Sequence, residues 1–282
     1  MAGATPTVAL SIAGSDSGGG AGLQADLKTF AALGVFGTTA VTAVTAQNTA
    51  AVLGVVALDP DFVVAQVRAV TSDLAVAAAK TGMLARPDTV AAVAELAARG
   101  ELPPLVVDPV LVSSTGHPLM DEGGVDAYRR LLLPEAAVAT PNLREAALLT
   151  GRSLSDLATV GAMVEAAEEL RALGATVVVV KGGHLASAAR EGAPGDAERP
   201  GSPDVVVGPD GPVVLHGERV ATSNDHGTGC SLSAAITAGL ALGSPPLEAV
   251  VAAKAYVRRA LAGAVDWRLG AGHGPIDHFG WS

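Results

Sequence analysis

Short β-branched runs alternate with Ala- and Leu-rich stretches along the whole sequence, and this alternation restricts the chain to βαβ units around a mostly parallel sheet. The first unit is explicit: Thr7 to Ala13 reads as a buried strand, Gly14 to Gly22 as a glycine-rich turn, Leu23 to Leu33 as a helix closed by Gly34, and Gly37 to Ala46 as the returning strand. Further strands are expected at Val52 to Ala57, Val76 to Lys80, Leu105 to Asp108, Ala137 to Thr140 and Thr176 to Lys181. Helices are expected at Pro60 to Ser72, Pro87 to Arg99, Leu143 to Leu149 and Ser155 to Leu173. Val205 to Val207 and Pro212 to His216 flank Gly208-Pro209-Asp210-Gly211 as a hairpin, which leads into a glycine-rich segment opening the last helical pair. Between Ala186 and Pro203 the composition turns to Ala, Gly, Pro and charge, and reads as an exposed loop inserted in one domain spanning residues 1–282.

Aromatic residues make up only 3% of the 282 residues against 49% hydrophobic, so the core must be built from Ala, Val and Leu. That suits parallel strands covered on both faces by close-packed helices. A formal net charge of -10 would repel a phosphate backbone, which argues against nucleic acid as a partner. The apolar runs are too short to cross a bilayer. Cys230 is the single cysteine, and the stretch Met1 to Pro6 lacks the features of a secretory signal, so a cytoplasmic location is expected.

In parallel sheets, ligands collect beyond the carboxyl ends of the strands. Gly14-Ser15-Asp16, Gln47-Asn48, Lys80-Thr81-Gly82-Met83, Asp108-Pro109-Val110, Thr140-Pro141-Asn142 and Lys181-Gly182-Gly183-His184 all follow expected strands and would converge on one edge. Asn224-Asp225-His226-Gly227-Thr228-Gly229-Cys230 precedes the helix expected at Leu232 to Leu242. Its glycines permit close backbone approach to an anion, and the amides opening the helix offer free N–H groups and a positive dipole end. The same dipole is expected to lower the pKa of Cys230 and favour a thiolate able to take a proton from a substrate hydroxyl. The alternative is a structural glycine turn with a buried thiol.

Other positions also have two readings. Asn142 and Glu145 have the spacing of a helix capping box, and also suit a magnesium water shell with Asp108 as second carboxylate. Lys181 ends a run of four valines, as a solvated surface lysine or as a point charge for nucleotide phosphates. The Gly18 to Gly22 turn matches neither the Walker nor the Rossmann glycine pattern and is expected to shape a substrate pocket. Gln47 offers a donor and an acceptor side by side, as an aminopyrimidine edge requires. Asp26 faces the same pocket or is a solvated carboxylate near a helix start. His226 acquires no role from the sequence.

Taken together, the segments Ala13 to Thr29, Ala46 to Thr49, Lys80 to Leu84, Asp108 to Val110, Thr140 to Ala146, Lys181 to His184 and His226 to Cys230 closely resemble the hydroxymethylpyrimidine/phosphomethylpyrimidine kinases of thiamine biosynthesis, in the ribokinase-like superfamily. The resemblance implies an α/β three-layer sandwich with a central, mostly parallel sheet flanked by helices. It implies two ATP-dependent phosphorylations, of 4-amino-5-hydroxymethyl-2-methylpyrimidine and then of its monophosphate, with Mg2+ as cofactor and a homodimer as the assembly. Carried over residue by residue, it places Gln47 and Asp26 on the pyrimidine, with Gly14, Met83 and Val110 lining the pocket. Lys181, Asn142, Thr228, Glu145 and Asp108 serve ATP and magnesium, Gly227 and Gly229 form the anion hole, and Cys230 takes the catalytic-base position. Many sugar kinases of the superfamily carry an aspartate there, so the cysteine points to the pyrimidine branch. Asp225 departs from the threonine often found in that family, and the Ala186 to Pro203 loop is more irregular. Two other readings are a pyridoxal or pyridoxine kinase of the same superfamily and a catalytically silent metabolite-binding protein.

Overall fold

The computed structural model describes residues 5–112, 119–183 and 201–281. Nine strands form one sheet in the order β3-β2-β1-β4-β5-β6-β7-β8-β9. They are β1 (Val8–Asp16), β2 (Phe36–Gln47), β3 (Val52–Ala57), β4 (Val76–Thr81), β5 (Leu105–Val107), β6 (Ala136–Ala139), β7 (Val177–Lys181), β8 (Asp204–Gly208) and β9 (Gly211–Leu215). From β2 through β7 every neighbouring pair is parallel, while β3 at one edge and the β8–β9 hairpin at the other run antiparallel.

The period of two along the strands divides the core. Val178 and Val180 of β7 join Leu10, Ile12 and Val107 beneath helices α2 (Pro60–Thr71), α3 (Pro87–Ala98), α5 (Leu143–Thr150) and α6 (Val160–Ala172). Val177 and Val179 face the opposite way, with Val106, Val138 and Val206, onto α7 (Thr228–Ala241) and α8 (Pro246–Gly263). Helix α1 (Gly22–Ala32) packs on that same side through Phe30 against Ala234 and Ala238. Strands buried on both faces are therefore apolar runs without alternation, which is how the sequence presents them.

Helix α7 is apolar or small nearly all round, with Ser231 to Ala238 continuously buried. A helix of that kind belongs inside. Its small residues allow close approach: a Cβ at Gly239 would come within 2.8 Å of Ala249 Cβ on α8.

Most expected elements are present, with informative shifts. Strand β1 runs on to Asp16, because an irregularity in its register with β2 between Ala13 and Ser15 bends the strand without ending it. The helix expected from Ser155 to Leu173 is two elements, a 3₁₀ turn at Leu154–Leu157 and α6. Ser153 caps the first, and Thr159 accepts a hydrogen bond from Ala162 N at the start of the second. Helix α7 begins at Thr228, a turn earlier than expected. A short helix α4 (Gly124–Ala127) continuing into a π-helical turn at Tyr128–Leu132 was not expected, since Gly123, Gly124 and Pro134 bound it with breaking signals. His184 and the expected loop from Ala186, apart from residues 201–203, lie outside the described residues.

Candidate active site

Chain order along the sheet reverses direction between β1 and β4: β2 follows β1 to one side, and β4 to β7 extend to the other. The crevice beyond the carboxyl ends at such a switch point is where open α/β sheets bind ligands. Helix α7 crosses the same strands and brings its N-terminus to that edge. Gly227, at φ +82, makes the entry turn, and a Cβ there would lie 1.8 Å from Gly20 O. Only glycine permits this contact between the α7 turn and the glycine-rich turn after β1. Gly22 is constrained in the same way, at φ +55 and with Gly14 O 2.3 Å from its would-be Cβ.

Three groups of polar side chains converge there. In the first, Lys181 Nζ lies 2.9 Å from Asp108 Oδ1, and Asp108 also accepts from Thr140 Oγ1 at 3.0 Å and from Ser233 Oγ on α7 at 3.3 Å. Burial works against the Asp108 charge, but Lys181 and Lys80 outweigh it and hold the carboxyl below its ordinary range. The Lys181 ammonium rests against the first turn of α7, 3.3 Å from where a Gly229 Cβ would stand. The solvated-lysine reading therefore does not hold.

Next to this pair, Asn142 bridges to Lys181 and caps α5. Its Oδ1 accepts from Glu145 N at 3.0 Å, and Glu145 Oε2 accepts from Asn142 N at 2.8 Å. The capping box is thus real. Burial pushes the Glu145 carboxyl up to about 8, Asp108 adding to the shift and Lys181 opposing it. Two buried carboxylates sharing one lysine are short of positive charge, and both are hard oxygen donors. That donor set suits a magnesium ion held by one or two carboxylates plus phosphate oxygens. Among the described residues no group of three His, Cys, Asp or Glu gathers as an all-protein metal cage.

The second group lies deeper. Lys80 Nζ is 2.9 Å from both Asp26 oxygens, Ser11 Oγ donates to Asp26 Oδ2 at 2.6 Å, and both charged side chains have 0% exposure. Burial opposes the charge on both groups: it leaves the Asp26 carboxyl above its ordinary range despite Lys80 and Ser11, while Asp26 and Asp108 keep Lys80 above its ordinary value. Asp26 is therefore neither a solvated carboxylate nor a wall of the open pocket. The structure corrects both expectations: its carboxylate is occupied beneath the site, where it anchors Lys80.

Cys230 sits half-buried in the first turn of α7. Burial pushes its thiol up to about 12; Lys80 opposes this, while Asp26 and Asp108 add to it. The expected lowering of the thiol is thus corrected to a rise, which keeps the proton on sulfur at neutral pH, because loss of hydration outweighs the pull of Lys80.

The third group closes the crevice on the β1–β2 side. Asp16 accepts from Gly18 N at 2.8 Å, Gly20 N at 3.1 Å and Ala21 N at 2.9 Å, so one carboxylate organises the glycine-rich turn. His226 Nε2 lies 3.0 Å from Asp16 Oδ2 and 3.3 Å from the side-chain amide of Gln47. Gly14 and Met83 meet across β1 and β4, Met83 Sδ being 3.3 Å from where a Gly14 Cβ would stand. Val110 is half-buried beyond β5, its N–H donating to Asp108 O. Thr228 gives its hydroxyl proton to Asp225 O at 2.6 Å, leaving the oxygen to accept. Asp225, the departure from the family pattern, lies 2.7 Å from His273 Nδ1. A recess beside Arg68 and Glu101 lies away from all of these groups.

The sequence reading assigned no role to Lys80, Asp16, Thr140, Ser233 or His226. Lys80 carried a usable signal, a lysine inside an otherwise small and apolar strand. Thr140, Ser233 and His226 depend on partners distant in sequence, whereas Asp16 holds the adjacent glycine-rich turn, a local signal that was not read.

A family model described as phosphomethylpyrimidine kinase matches residues 16–277. A hydroxymethylpyrimidine/phosphomethylpyrimidine kinase of Rhizobium meliloti is 49% identical over 273 residues, covering 96% of this chain and 97% of the relative. Among solved structures, an ADP complex of Bacillus subtilis pyridoxal kinase superposes with a TM-score of 0.82 at 36% identity, covering 97% and 98% of the two chains. A phosphomethylpyrimidine kinase of Clostridium difficile superposes with a TM-score of 0.75 at 37% identity, covering 90% of this chain and 99% of that one. With its ligand edge at the β1–β4 switch and its glycine-capped α7, this chain is a kinase with the ribokinase-like fold and belongs to the phosphomethylpyrimidine kinase family.

Proposed function

We propose that this kinase transfers the γ-phosphoryl group of ATP first to 4-amino-5-hydroxymethyl-2-methylpyrimidine and then to the resulting monophosphate. The observation that carries this reading is the meeting of Lys181, Asp108 and the first turn of α7. A cation, a row of helix-opening amides and a buried carboxylate are the groups that phosphoryl transfer calls for, and their meeting supports this reading. Gly227 and Gly229 give the nucleotide phosphates close backbone approach, Lys181 supplies a point charge, and Asn142 and the Thr228 oxygen border the nucleotide. Asp108 and Glu145 would hold the water shell of a magnesium ion, which would supply positive charge against the nucleotide phosphates.

On the substrate side, Gln47 meets the aminopyrimidine edge, with Gly14, Met83 and Val110 lining its pocket. In the first step the hydroxymethyl oxygen bonds to the γ-phosphorus as the bond to the ADP oxygen breaks, and the hydroxyl proton passes to the small thiolate fraction of Cys230. The second step attacks with a phosphate oxygen that is already ionised and needs no base. Residues 1–282 form a single domain in this reading, supported by the one continuous sheet. A second copy of the chain is the proposed partner, supported by Leu53, Val55 and Val56 exposed on edge strand β3. The cytoplasm, where ATP is made available, is the proposed location.

The identity of 49% to the Rhizobium meliloti enzyme favours the pyrimidine. The Bacillus subtilis pyridoxal kinase, at 36% identity, supports pyridoxal as the second reading. Incubation with ATP, magnesium and the hydroxymethylpyrimidine should give mono- and then diphosphorylated product by mass spectrometry. Turnover of pyridoxal with the pyrimidine untouched would overturn the first reading, and pyrimidine binding by calorimetry without ADP formation would indicate a silent binder.

A further inference from the structure

The side-chain amide of Gln47 lies between His226 and Thr45. As placed, its Nε2 is 3.3 Å from His226 Nε2, and its Oε1 is 3.2 Å from Thr45 Oγ1. Proton counting rejects that orientation. Asp16 accepts three backbone hydrogen bonds, and these together with His226 hold its carboxyl below the ordinary range despite burial, so it is ionised. An ionised Asp16 Oδ2 at 3.0 Å needs a proton on His226 Nε2, whether the ring is neutral or charged. A Gln47 Nε2 facing that N–H would set donor against donor. At the other end, Thr45 has one hydroxyl proton for two acceptors, Ser15 O at 3.1 Å and Gln47 Oε1 at 3.2 Å, and can serve only one of them.

A half-turn of the amide removes both conflicts. Gln47 Oε1 then accepts from His226 Nε2–H, shared with Asp16, and Gln47 Nε2 donates to Thr45 Oγ1, which donates to Ser15 O. We infer that His226, held by Asp16, is a positioning residue that fixes the Gln47 amide in one orientation and so sets the sense in which a substrate ring can bind. One Oε1 lone pair and one Nε2–H remain for the ligand. The ring must present a donor to Oε1 and an acceptor to Nε2, as the exocyclic amine and adjacent ring nitrogen of an aminopyrimidine do. A pyridine ring that carries a phenolate oxygen in place of the amine offers Oε1 no donor and does not match that pair. The inference rests on the reading of Gln47 as the pyrimidine contact. It gives a function to the histidine of the α7 turn and a reason for its closeness to Gly20, where a Cβ would stand 2.5 Å from His226 Cδ2.

The first test needs no substrate. Nitrogen-15 NMR of the imidazole in wild-type protein should show Nε2 of His226 protonated at neutral pH; an unprotonated Nε2 overturns the inference. The second test is kinetic, with His226→Phe keeping a ring but no donor, and His226→Gln restoring an N–H toward Asp16. Loss of one hydrogen bond to a neutral amide should raise KM for the pyrimidine about five- to tenfold. KM for ATP should stay within about twofold, a split that general unfolding would not give, and discrimination against pyridoxal should narrow. His226→Gln should recover part of the loss. In the double variant with Gln47→Ala, the His226→Phe effect should vanish, because it acts through Gln47. Additive effects would overturn the inference while leaving Gln47 as the pyrimidine contact, whereas a Gln47→Ala variant with unchanged pyrimidine KM would overturn both.

Discussion

Lys181 on β7 and Asp108 at the end of β5 are 73 residues apart in sequence and 2.9 Å apart in space, with Asp108 only 2% exposed. Strand β6 lies between theirs, so the ion pair closes over the carboxyl end of three adjacent parallel strands. Removing the lysine leaves the Asp108 carboxylate buried beside Glu145 with its main cation gone. Lys181→Met should therefore cost stability, by about 3 kcal/mol in urea unfolding at neutral pH. It should also lower kcat by at least about a hundredfold if the ammonium stabilises phosphoryl transfer. A variant that keeps wild-type kcat would remove Lys181 from the transfer machinery, whatever its stability.

Two glycines of the α7 turn should respond oppositely. Gly227→Ala puts a Cβ 1.8 Å from Gly20 O at φ +82, so the two glycine-rich turns must separate. A loss of more than about 3 kcal/mol and of activity together is expected. A Cβ at Gly229 meets only the flexible end of Lys181, at 3.3 Å, in an ordinary helical conformation. Gly229→Ala should hold or raise stability, by up to about 1 kcal/mol, while reducing kcat by crowding the lysine and the anion. Thermal unfolding and turnover measured on both variants separate fold from function at this turn.

What could be read from the sequence was local. The valine run at Thr176 to Lys181, the hairpin at Gly208 to Gly211 and the Asn142–Glu145 capping box each depend on residues within a few positions of one another, and each is found. His226 acquires a role only through Asp16 and Gln47, 210 and 179 residues away, which no spacing rule reaches. The error at Cys230 has the same origin. The helix dipole acting on the thiol is visible in sequence, but the burial and the Asp26 and Asp108 carboxylates that raise it come from elements distant in the chain, α1 and the end of β5. Likewise Asp26 reads as a solvated carboxylate near a helix start until β4 brings Lys80 against it.

Glu145 makes stability depend on pH in a defined direction. Its folded value of about 8 lies above the ordinary 4.5, so the folded protein holds a proton that the unfolded chain releases. Relative to Glu145→Gln, the wild type should lose stability as pH rises from about 4.5 to about 8, with a ceiling of about 4–5 kcal/mol. The glutamine retains an acceptor for the Asn142 N–H, so the cap survives and isolates the titration. Urea titrations of both proteins near pH 5 and near pH 8.5 measure the difference. Magnesium with a non-hydrolysable ATP analogue should narrow the gap at the higher pH, because a cation favours the ionised carboxylate. A gap independent of pH would show that Glu145 is ionised in the free protein.

The protonated thiol of Cys230 should separate the two phosphorylations. If the thiolate takes the hydroxymethyl proton, its population far below a pKa of about 12 grows tenfold per pH unit. kcat/KM of the first step should therefore rise with about that slope between pH 6.5 and 8.5, and Cys230→Ala should lower it by about 10²- to 10⁴-fold and abolish the slope. The second step starts from a phosphate monoester whose second ionisation lies near pH 6, so above neutrality it should be nearly flat in pH and fall less than about tenfold in the same variant. Single-turnover assays started from the hydroxymethyl compound and from its monophosphate measure the steps separately. A flat first step in the wild type would mean that the proton leaves by another route, and Cys230 would then orient the hydroxyl without acting as its base.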